Sequence, residues 1–379
     1  MSGKEIWKAP FKIFGMTFFA LVSFVVLLFL FSLFFVGAGA GLGAMVGKQS
    51  LSAIPSADRL SVKHFSGDPS SKNLLLRVPV SGIILGSPTH GMSDVMAIRG
   101  ITYGYRIKDI LAEAAEDDQI KGVLLHLQTP GGTIYGARAI FEAVESFQET
   151  TGRPVFAFVE GISASGGVIA MAGADRIFAD FGSRVGSIGV LGGMLTYFDD
   201  PVATNGGLLG QGIETRGGIE HTIISAGRGK DLGNPFRRPT EDEISVLQEG
   251  ANQEYERFVR LVAENRPITE SVIRETLGAL IFGNDSAESY GLIDGTRNRE
   301  EAVSELAAAA GVAEDYQLVT PRTEAGPFWR QLLSGWSNRD AADLARQDLC
   351  RAVARLPLAY AGDVVALCEA CRKEGSELP

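Results

Sequence analysis

Cysteine is scarce in this chain, and all of it lies near the C-terminus. The 379 residues include three cysteines, Cys350, Cys368 and Cys371, which are too few for a disulfide scaffold. Cys368 and Cys371 have the C-x-x-C spacing, but a zinc site needs four ligands or an open coordination position. A redox pair needs the motif at a helix start near a βαβ unit. The sequence therefore predicts no metal ion and no cofactor.

Basic residues and histidines are also few. The chain has 35 Lys and Arg against 45 Asp and Glu, which gives a net charge of -10 and a pI near 5.1. Proteins that bind along the phosphate backbone of a nucleic acid have a basic surface. Because this chain is acidic overall, nucleic acid is not an expected partner. The four histidines that could act as a general base are His64, His90, His126 and His221.

The first part of the chain contains a long run without charge. Residues 16–36 are dominated by Phe, Leu and Val and carry no charged side chain, and a helix needs about 20 such residues to cross a bilayer. The sequence predicts one transmembrane helix here, with a signal peptide cleaved near Ala38 or Ala40 as the alternative. Lysines outnumber acidic residues in 1–15, so this tail is expected in the cytoplasm. The catalytic domain is then expected on the outer, periplasmic or extracellular, face of the cell membrane.

The rest of the chain divides into three parts. Residues 37–73 are predicted as a linker, because 37–47 alternates Gly with small residues and 49–73 is polar and contains prolines and serines. In 74–320, short apolar segments alternate with segments of helical spacing, which predicts an α/β domain whose parallel sheet is covered on both faces. Residues 321–379 are expected to form a helical C-terminal extension. Within the domain, 128–132 is predicted as the turn after a buried strand, and 222–225 as a strand.

One stretch, 159–172, joins an apolar strand to an apolar helix through a turn of very small residues. Ser165 opens that helix, where its hydroxyl is lifted out of the turn, and Gly166 and Gly167 have no Cβ atoms to block a substrate backbone. The unpaired N–H groups of the first helical turn can hold a negative oxygen, as acyl transfer requires. Ligands bind beyond the carboxyl ends of parallel strands, where 130–132 is also expected. A turn without catalytic function is the alternative.

A serine nucleophile needs a base, and the sequence offers few. His126 lies within an apolar strand and is interpreted as a core histidine, whereas His221 stays open as a base. A lysine can also serve when burial lowers its pKa, because the neutral amine accepts the serine proton. Lys230, which follows Gly227 and Gly229, is the lysine candidate, with an ordinary exposed lysine as the alternative.

Four short motifs in a fixed order resemble a known family. They are 127–132 (LQTPGG), 164–167 (ASGG), 186–190 (GSIGV) and 229–231 (GKD). Behind one membrane span, they resemble the signal peptide peptidase A (protease IV) family of Ser/Lys peptidases, and the similarity runs from about residue 75 to residue 310. The resemblance implies an α/β fold like that of the caseinolytic protease and crotonase superfamily.

The resemblance also implies a role for each matching residue. Ser165 would be the nucleophile and Lys230 the general base, while Ser187 would orient the lysine amine. Gly132 and Gly166 would offer their backbone N–H groups as the oxyanion hole. Relatives with a single repeat form rings or domes, so a homo-oligomer is expected.

The expected function is that of a membrane-anchored serine endopeptidase, which hydrolyses apolar peptides such as cleaved signal peptides through an acyl-enzyme. The N-terminal helix would hold the site beside membrane lipid, where such peptides collect. Two alternatives stay open. One is a crotonase-like acyl-CoA enzyme, which uses paired-glycine oxyanion chemistry on a thioester, and the other is a catalytically silent membrane scaffold.

Overall fold

The computed structural model describes residues 60–87, 100–195, 197, 223–322 and 358–361. Within these ranges no helix is both long enough and apolar enough to cross a bilayer. Several sequence predictions lie outside the described residues, namely those for the transmembrane helix 16–36, His90, His221, Cys350, Cys368 and Cys371.

Strands of the described chain form two sheets. Their bounds are β1 Val62–Gly67, β2 Leu74–Ser81, β3 Ile83–Leu85, β4 Ile101–Tyr103, β5 Ile120–Thr129, β6 Gly131–Thr133, β7 Val155–Ala164, β8 Arg176–Ala179, β9 Arg184–Gly186, β10 Ile281–Gly283, β11 Gly295–Thr296, β12 Gln317–Pro321 and β13 Leu358–Tyr360. The main sheet has the order β1-β12-β2-β5-β7-β8-β11, and β9 pairs with both β7 and β10. The second sheet has the order β13-β6-β3-β4.

The centre of the main sheet is parallel, as the sequence predicts. All neighbouring pairs from β12 to β11 run in the same direction, and β7 and β9 are parallel as well. The antiparallel pairs of this sheet are at its margins, β1 with β12 and β9 with β10. The carboxyl ends of β5 and β7 therefore lie at the same edge, where a parallel sheet places its ligand site.

Helices cover both faces of this sheet. Their bounds are α1 Gly104–Ala115, α2 Ile134–Thr151, α3 Gly166–Met171, α4 Glu241–Asn265, α5 Asn284–Ser289 and α6 Arg299–Ala309, with a π-helical turn at Val272–Leu277. Successive side chains of a strand point to opposite faces. Leu125 and Val159 accordingly pack in a larger core with α1 to α4, and Leu124 and Phe158 pack in a smaller core with α6.

The sequence rules for helix ends hold for α4. The Thr240 hydroxyl accepts from the Glu243 N–H, and the Glu243 carboxylate accepts from the Thr240 N–H, so the two residues form a capping box. The helix ends before Pro267, which cannot donate the backbone hydrogen bond that would continue it.

Four segments differ from the sequence prediction. Residues 223–225 form no strand with any described segment, and Gly131–Thr133, predicted as part of a turn, is strand β6. Val62–Gly67, in the predicted linker, pairs with β12, and Leu358–Tyr360, in the predicted helical extension, pairs with β6. Short strands depend on partners that are distant in the chain, and a local pattern does not reveal those partners.

Candidate active site

Ser165 lies between the end of β7 and the start of α3, and its backbone is strained. Its φ of 56° and ψ of -110° lie outside the regions that L residues prefer, which costs on the order of 1–3 kcal/mol. The Ser165 N–H donates to the Gly186 carbonyl at 2.8 Å, and the Ser165 carbonyl accepts from the Val168 N–H at 2.9 Å. These bonds hold a turn of the kind that presents nucleophilic serines.

The backbones of Gly132 and Gly166 come together beside this turn. A methyl group built on Gly166 would lie 3.1 Å from the Gly132 amide nitrogen, and one built on Gly131 would lie 2.7 Å from the Gly166 amide nitrogen. Gly166 is the first residue of α3, so its N–H has no partner within the helix. Two backbone amides thus approach one small volume, an arrangement that can stabilise an oxyanion.

Thr129 is a residue of this region that the sequence analysis missed. Its buried hydroxyl donates to the Gly82 carbonyl at 2.5 Å and accepts from the Gly131 N–H at 3.0 Å. These bonds hold Gly131 at a φ of 95°, a conformation that glycine adopts at little cost. A threonine before a Pro-Gly-Gly turn is common in loops, so the sequence carries only a weak signal for this role.

The Ser165 hydroxyl is buried beneath the loop that follows β9. Ser165 has no exposed surface, and its Oγ donates to the Gly189 carbonyl at 3.4 Å. Gly189 in turn packs closely against Ala279. A methyl group built on the Gly189 Cα would lie only 2.9 Å from the Ala279 Cβ. In the described chain the hydroxyl is therefore held by a backbone carbonyl rather than by a side-chain base.

Among the described residues, no hydrogen bond joins Lys230 to Ser165. Lys230 is exposed in a turn, where its N–H donates to the Gly227 carbonyl at 3.2 Å. Ser187 is half-buried at a φ of 60°, and its N–H donates to the Leu280 carbonyl at 2.6 Å. Among the described residues, the Lys230 and Ser187 side chains form no hydrogen bond with each other. Of the five predicted site residues, Ser165, Gly132 and Gly166 are adjacent, and the predicted roles of Lys230 and Ser187 stay predictions.

A network of charged residues joins the segment that carries Lys230 to the start of α4. Arg237 donates to both oxygens of Asp231 at 2.8 Å, and to the Glu243 oxygens at 2.7 and 2.9 Å. The Arg237 guanidinium, with help from the Thr240 N–H, lowers the pKa of Glu243 from 4.5 to about 2, and it also lowers the pKa of Asp231. Asp231 follows Lys230 directly, so this network links the backbone next to Lys230 to the start of α4.

Glu243→Gln is expected to destabilise the protein at neutral pH but not in acid. Because folding lowers the pKa of Glu243 from 4.5 to about 2, its contribution to the free energy of unfolding is complete above about pH 4.5 and is lost as the pH falls through about 2. Urea unfolding at a series of pH values is the measurement. The wild type and the variant should differ at pH 6 and converge toward pH 2. A gap of constant size would contradict the network, and Glu241→Gln, an exposed change in the same helical turn, is the control.

His126 does not contact Ser165. It accepts from the Arg77 Nε at 2.7 Å and lies 2.5 Å from a Glu160 carboxylate oxygen. Burial and the Arg77 charge lower the pKa of His126. Its ring packs on Phe158, on the α6 side of the sheet, whereas α3 packs on the other side. The described ranges contain no group of three or more His, Cys, Asp or Glu residues placed to hold a metal ion.

Comparison with known proteins finds similarity to one family of peptidases. Residues 148–313 match the profile described as Peptidase family S49. The chain is 34% identical over 205 residues to a protein of Methanocaldococcus jannaschii named as a candidate protease, a match that covers 54% of this chain and 61% of the relative. It is 31% identical over 237 residues to a protein of Enterococcus faecium named as a candidate signal peptide peptidase SppA, covering 62% of this chain and 64% of the relative.

A third relative is Protease 4 of Haemophilus influenzae, which is 26% identical over 243 residues, covering 64% of this chain and 36% of the relative. A solved structure of a ClpP1 mutant from Listeria monocytogenes is similar at 12% identity and a TM-score of 0.36, covering 60% of this chain and 94% of that chain. The chain spans less than two thirds of the length of each of these three relatives. Residues 148–313 thus match peptidase family S49, and the resemblance to signal peptide peptidase A and protease IV that the motifs indicate is confirmed.

Proposed function

We propose that the protein is a serine endopeptidase that acts through an acyl-enzyme. The observation that carries the proposal is the placement of Ser165 beside the amides of Gly132 and Gly166. The Ser165 Oγ attacks the carbonyl carbon of the substrate, whose oxygen gains negative charge between the two amides. The C–N bond then breaks as the leaving amine takes up a proton, and water hydrolyses the resulting ester.

Lys230 is the proposed general base, and Ser187 is proposed to orient its amine. The support for both is their place in the family motifs at 229–231 and 186–190. Because Lys230 is exposed and Ser165 is buried in the described chain, the dyad requires a change of arrangement. Either segment 223–240 moves toward Ser165, or a second copy supplies Lys230 in the proposed homo-oligomer.

Apolar peptides, such as signal peptides already cleaved from their proteins, are the proposed substrates. The name of the Enterococcus faecium relative supports this class. A cavity of about 270 Å³ beside Gly189 offers room for one substrate side chain. Its lining includes Ile188, Val190 and Tyr255, together with the polar residues Gln248 and Asn252. We further propose that 16–36 anchors the protein in the cell membrane, with the catalytic domain on the outer face, because its apolar length suits a bilayer.

Gly166→Ala is expected to lower kcat by about 10²- to 10³-fold, the size of effect seen when one oxyanion donor is lost. The new methyl group would lie 3.1 Å from the Gly132 amide nitrogen and would narrow the space for the oxyanion. Gly250→Ala is the matched control, because a methyl group there meets nothing within 4 Å and alanine favours the helix. The measurement is cleavage of a fluorogenic peptide with a small apolar residue before the cut, with melting curves for both variants.

Equal rates for the two folded glycine variants would contradict the oxyanion assignment. If the wild type cleaves no peptide but turns over an acyl-CoA thioester, the crotonase-like alternative replaces the proposed function. If the wild type cleaves neither substrate, the scaffold alternative replaces it.

A further inference from the structure

Strand β7 contains a bulge shortly before Ser165. Ahead of the bulge, Val159 of β7 pairs with Leu127 of β5. After it, Ser163 of β7 pairs with Thr129 of β5. One residue separates the two pairs in β5 and three separate them in β7, so β7 is two residues longer over this interval. Extra residues of this kind leave the ladder and bend the strand, and such bulges are frequent beside active sites.

The bulge is also the place where β7 changes its second neighbour. Before it β7 pairs with β8, and after it β7 pairs with β9, starting with Ile162 opposite Arg184. The Ser165 N–H then donates to the Gly186 carbonyl of β9 at 2.8 Å. The bulge therefore sets which part of β9 lies beside the candidate nucleophile.

The side chain of Ser183 spans this bulge. Its hydroxyl donates to the Val159 carbonyl at 3.1 Å and accepts from the Gly161 N–H at 3.0 Å. Ser183 is 2% exposed and directly precedes the first residue of β9. Gly161 has a φ of 85°, in the left-handed region that glycine adopts at little cost. One hydroxyl thus joins two backbone positions of the bulge to the start of β9.

A separate contact holds the bulge from the α6 face of the sheet. The Glu160 carboxylate lies 2.5 Å from the His126 Nε2, and the His126 ring packs on Phe158. This contact does not involve the Ser183 hydroxyl. A variant without that hydroxyl therefore keeps β7 attached to β5 and is expected to fold, with a less constrained backbone between the bulge and the nucleophile.

We propose that Ser183 is a positioning residue for peptide hydrolysis, because its hydroxyl holds the bulge that sets the register of Ser165 against Gly132 and Gly166. The proposal rests on the proposed function, in which Ser165 is the nucleophile. A strand advances by about 3.3 Å per residue, and a misplacement of about 1 Å can cost about 100-fold in rate. A partial change in the bulge is therefore enough to slow the reaction.

Ser183→Ala is expected to lower kcat by about 10- to 100-fold. KM should change much less, because the substrate-binding backbone of Gly132 stays in place. Ser183→Thr keeps a hydroxyl and should restore most of the rate. The measurement is cleavage of a fluorogenic peptide with a small apolar residue before the cut, with kcat expressed per folded chain. The folded fraction comes from melting curves.

Thr151→Ala is the matched control for loss of a hydroxyl. The Thr151 hydroxyl also joins two backbone groups, since it donates to the Phe147 carbonyl at 2.7 Å and accepts from the Arg153 N–H at 3.1 Å. It lies at the end of α2, before β7 begins, and so at the edge of the sheet away from Ser165. This variant should lose melting temperature and keep its kcat per folded chain.

Gly161→Ala changes the same bulge through the backbone. A methyl group built on Gly161 would lie 4.0 Å from the Gln128 Nε2, an ordinary contact, so the variant acts through strain at a φ of 85°. It should lower kcat in the same direction as Ser183→Ala. Gly152→Ala is its matched control, because Gly152 has a φ of 65° and a methyl group there meets no described atom within 4 Å.

The outcomes separate this inference from the proposed function. If folded Ser183→Ala keeps the wild-type kcat, or if the two controls lose as much kcat as the bulge variants, the positioning role is wrong and the peptidase stands. If Ser183→Thr is folded and as slow as Ser183→Ala, the hydroxyl is not the cause and the role is again wrong. If the wild type cleaves no peptide, the proposed function fails and the inference fails with it.

Discussion

Ser165→Ala is expected to lower kcat/KM for peptide hydrolysis by about 10⁴-fold or more, the range found when a catalytic serine is removed from a protease. The substitution removes the attacking oxygen and leaves the amides of Gly132 and Gly166 in place. Because these amides still bind the substrate carbonyl, KM should change much less than kcat. The measurement is steady-state kinetics on a fluorogenic peptide. The fraction of active protein is determined for the wild type and applied to the variant.

The stability of this variant is the internal control. Alanine keeps the Cβ atom and therefore keeps the strain at a φ of 56°, and the hydrogen bond that is lost, to the Gly189 carbonyl, is long at 3.4 Å. The free energy of unfolding should therefore change by about 1 kcal/mol or less. A folded Ser165→Ala protein that retains activity within tenfold of the wild type would remove Ser165 as nucleophile.

Lys230→Met is expected to abolish peptide hydrolysis without unfolding the protein. Methionine has a similar length and lacks the amine, and general-base catalysis contributes about 10²- to 10⁴-fold to a rate. Because Lys230 is exposed and makes no hydrogen bond through its side chain within the described ranges, its loss should hardly affect the melting temperature. Lys230→Arg should be inactive as well, since a guanidinium does not deprotonate at accessible pH.

The pH dependence separates a general base from a residue that only binds substrate. The pH profile of kcat/KM should differ between the wild type and any residual activity of Lys230→Met, because the variant lacks the amine that accepts the Ser165 proton. The same pH profile in both proteins would assign the base to another residue, with His221 the next to substitute.

Mixing two inactive variants tells how Lys230 reaches Ser165. In a homo-oligomer whose sites are shared between copies, Ser165→Ala supplies the lysine and Lys230→Met supplies the serine. Random mixing should then restore about a quarter of the sites. Recovery of activity would assign the site to two copies, and no recovery from a mixed oligomer would assign it to closure of segment 223–240 within one chain.

The sequence predicts the backbone arrangement around Ser165 for physical reasons. Small residues between an apolar strand and an apolar helix have few stable arrangements, so the local pattern alone places Ser165 at a strand-to-helix turn. Parallel strands bring their carboxyl ends to one edge, so the sequence also predicts that Gly132 and Gly166 lie near each other. Both expectations depend on local pattern and on the direction of neighbouring strands.

Other parts of the site depend on partners that are remote in the chain. Strand β13 has three residues, and its partner β6 is a glycine segment with no side-chain pattern to match, so the local sequence does not reveal this pairing. The position of Lys230 depends on how Arg237 joins Asp231 to Glu243. Nothing in the local sequence of 229–243 indicates that pairing.

The central claim is that Ser165 forms an ester with its substrate, and trapping that ester tests it most directly. The full-length protein would be mixed with an activated ester of a short peptide ending in alanine, quenched in acid within seconds and digested for mass spectrometry. The account predicts one added acyl group, on the peptide that contains Ser165, and none in the Ser165→Ala protein. An acyl group on another residue, or turnover of the ester with no acylated protein at any time, would contradict it.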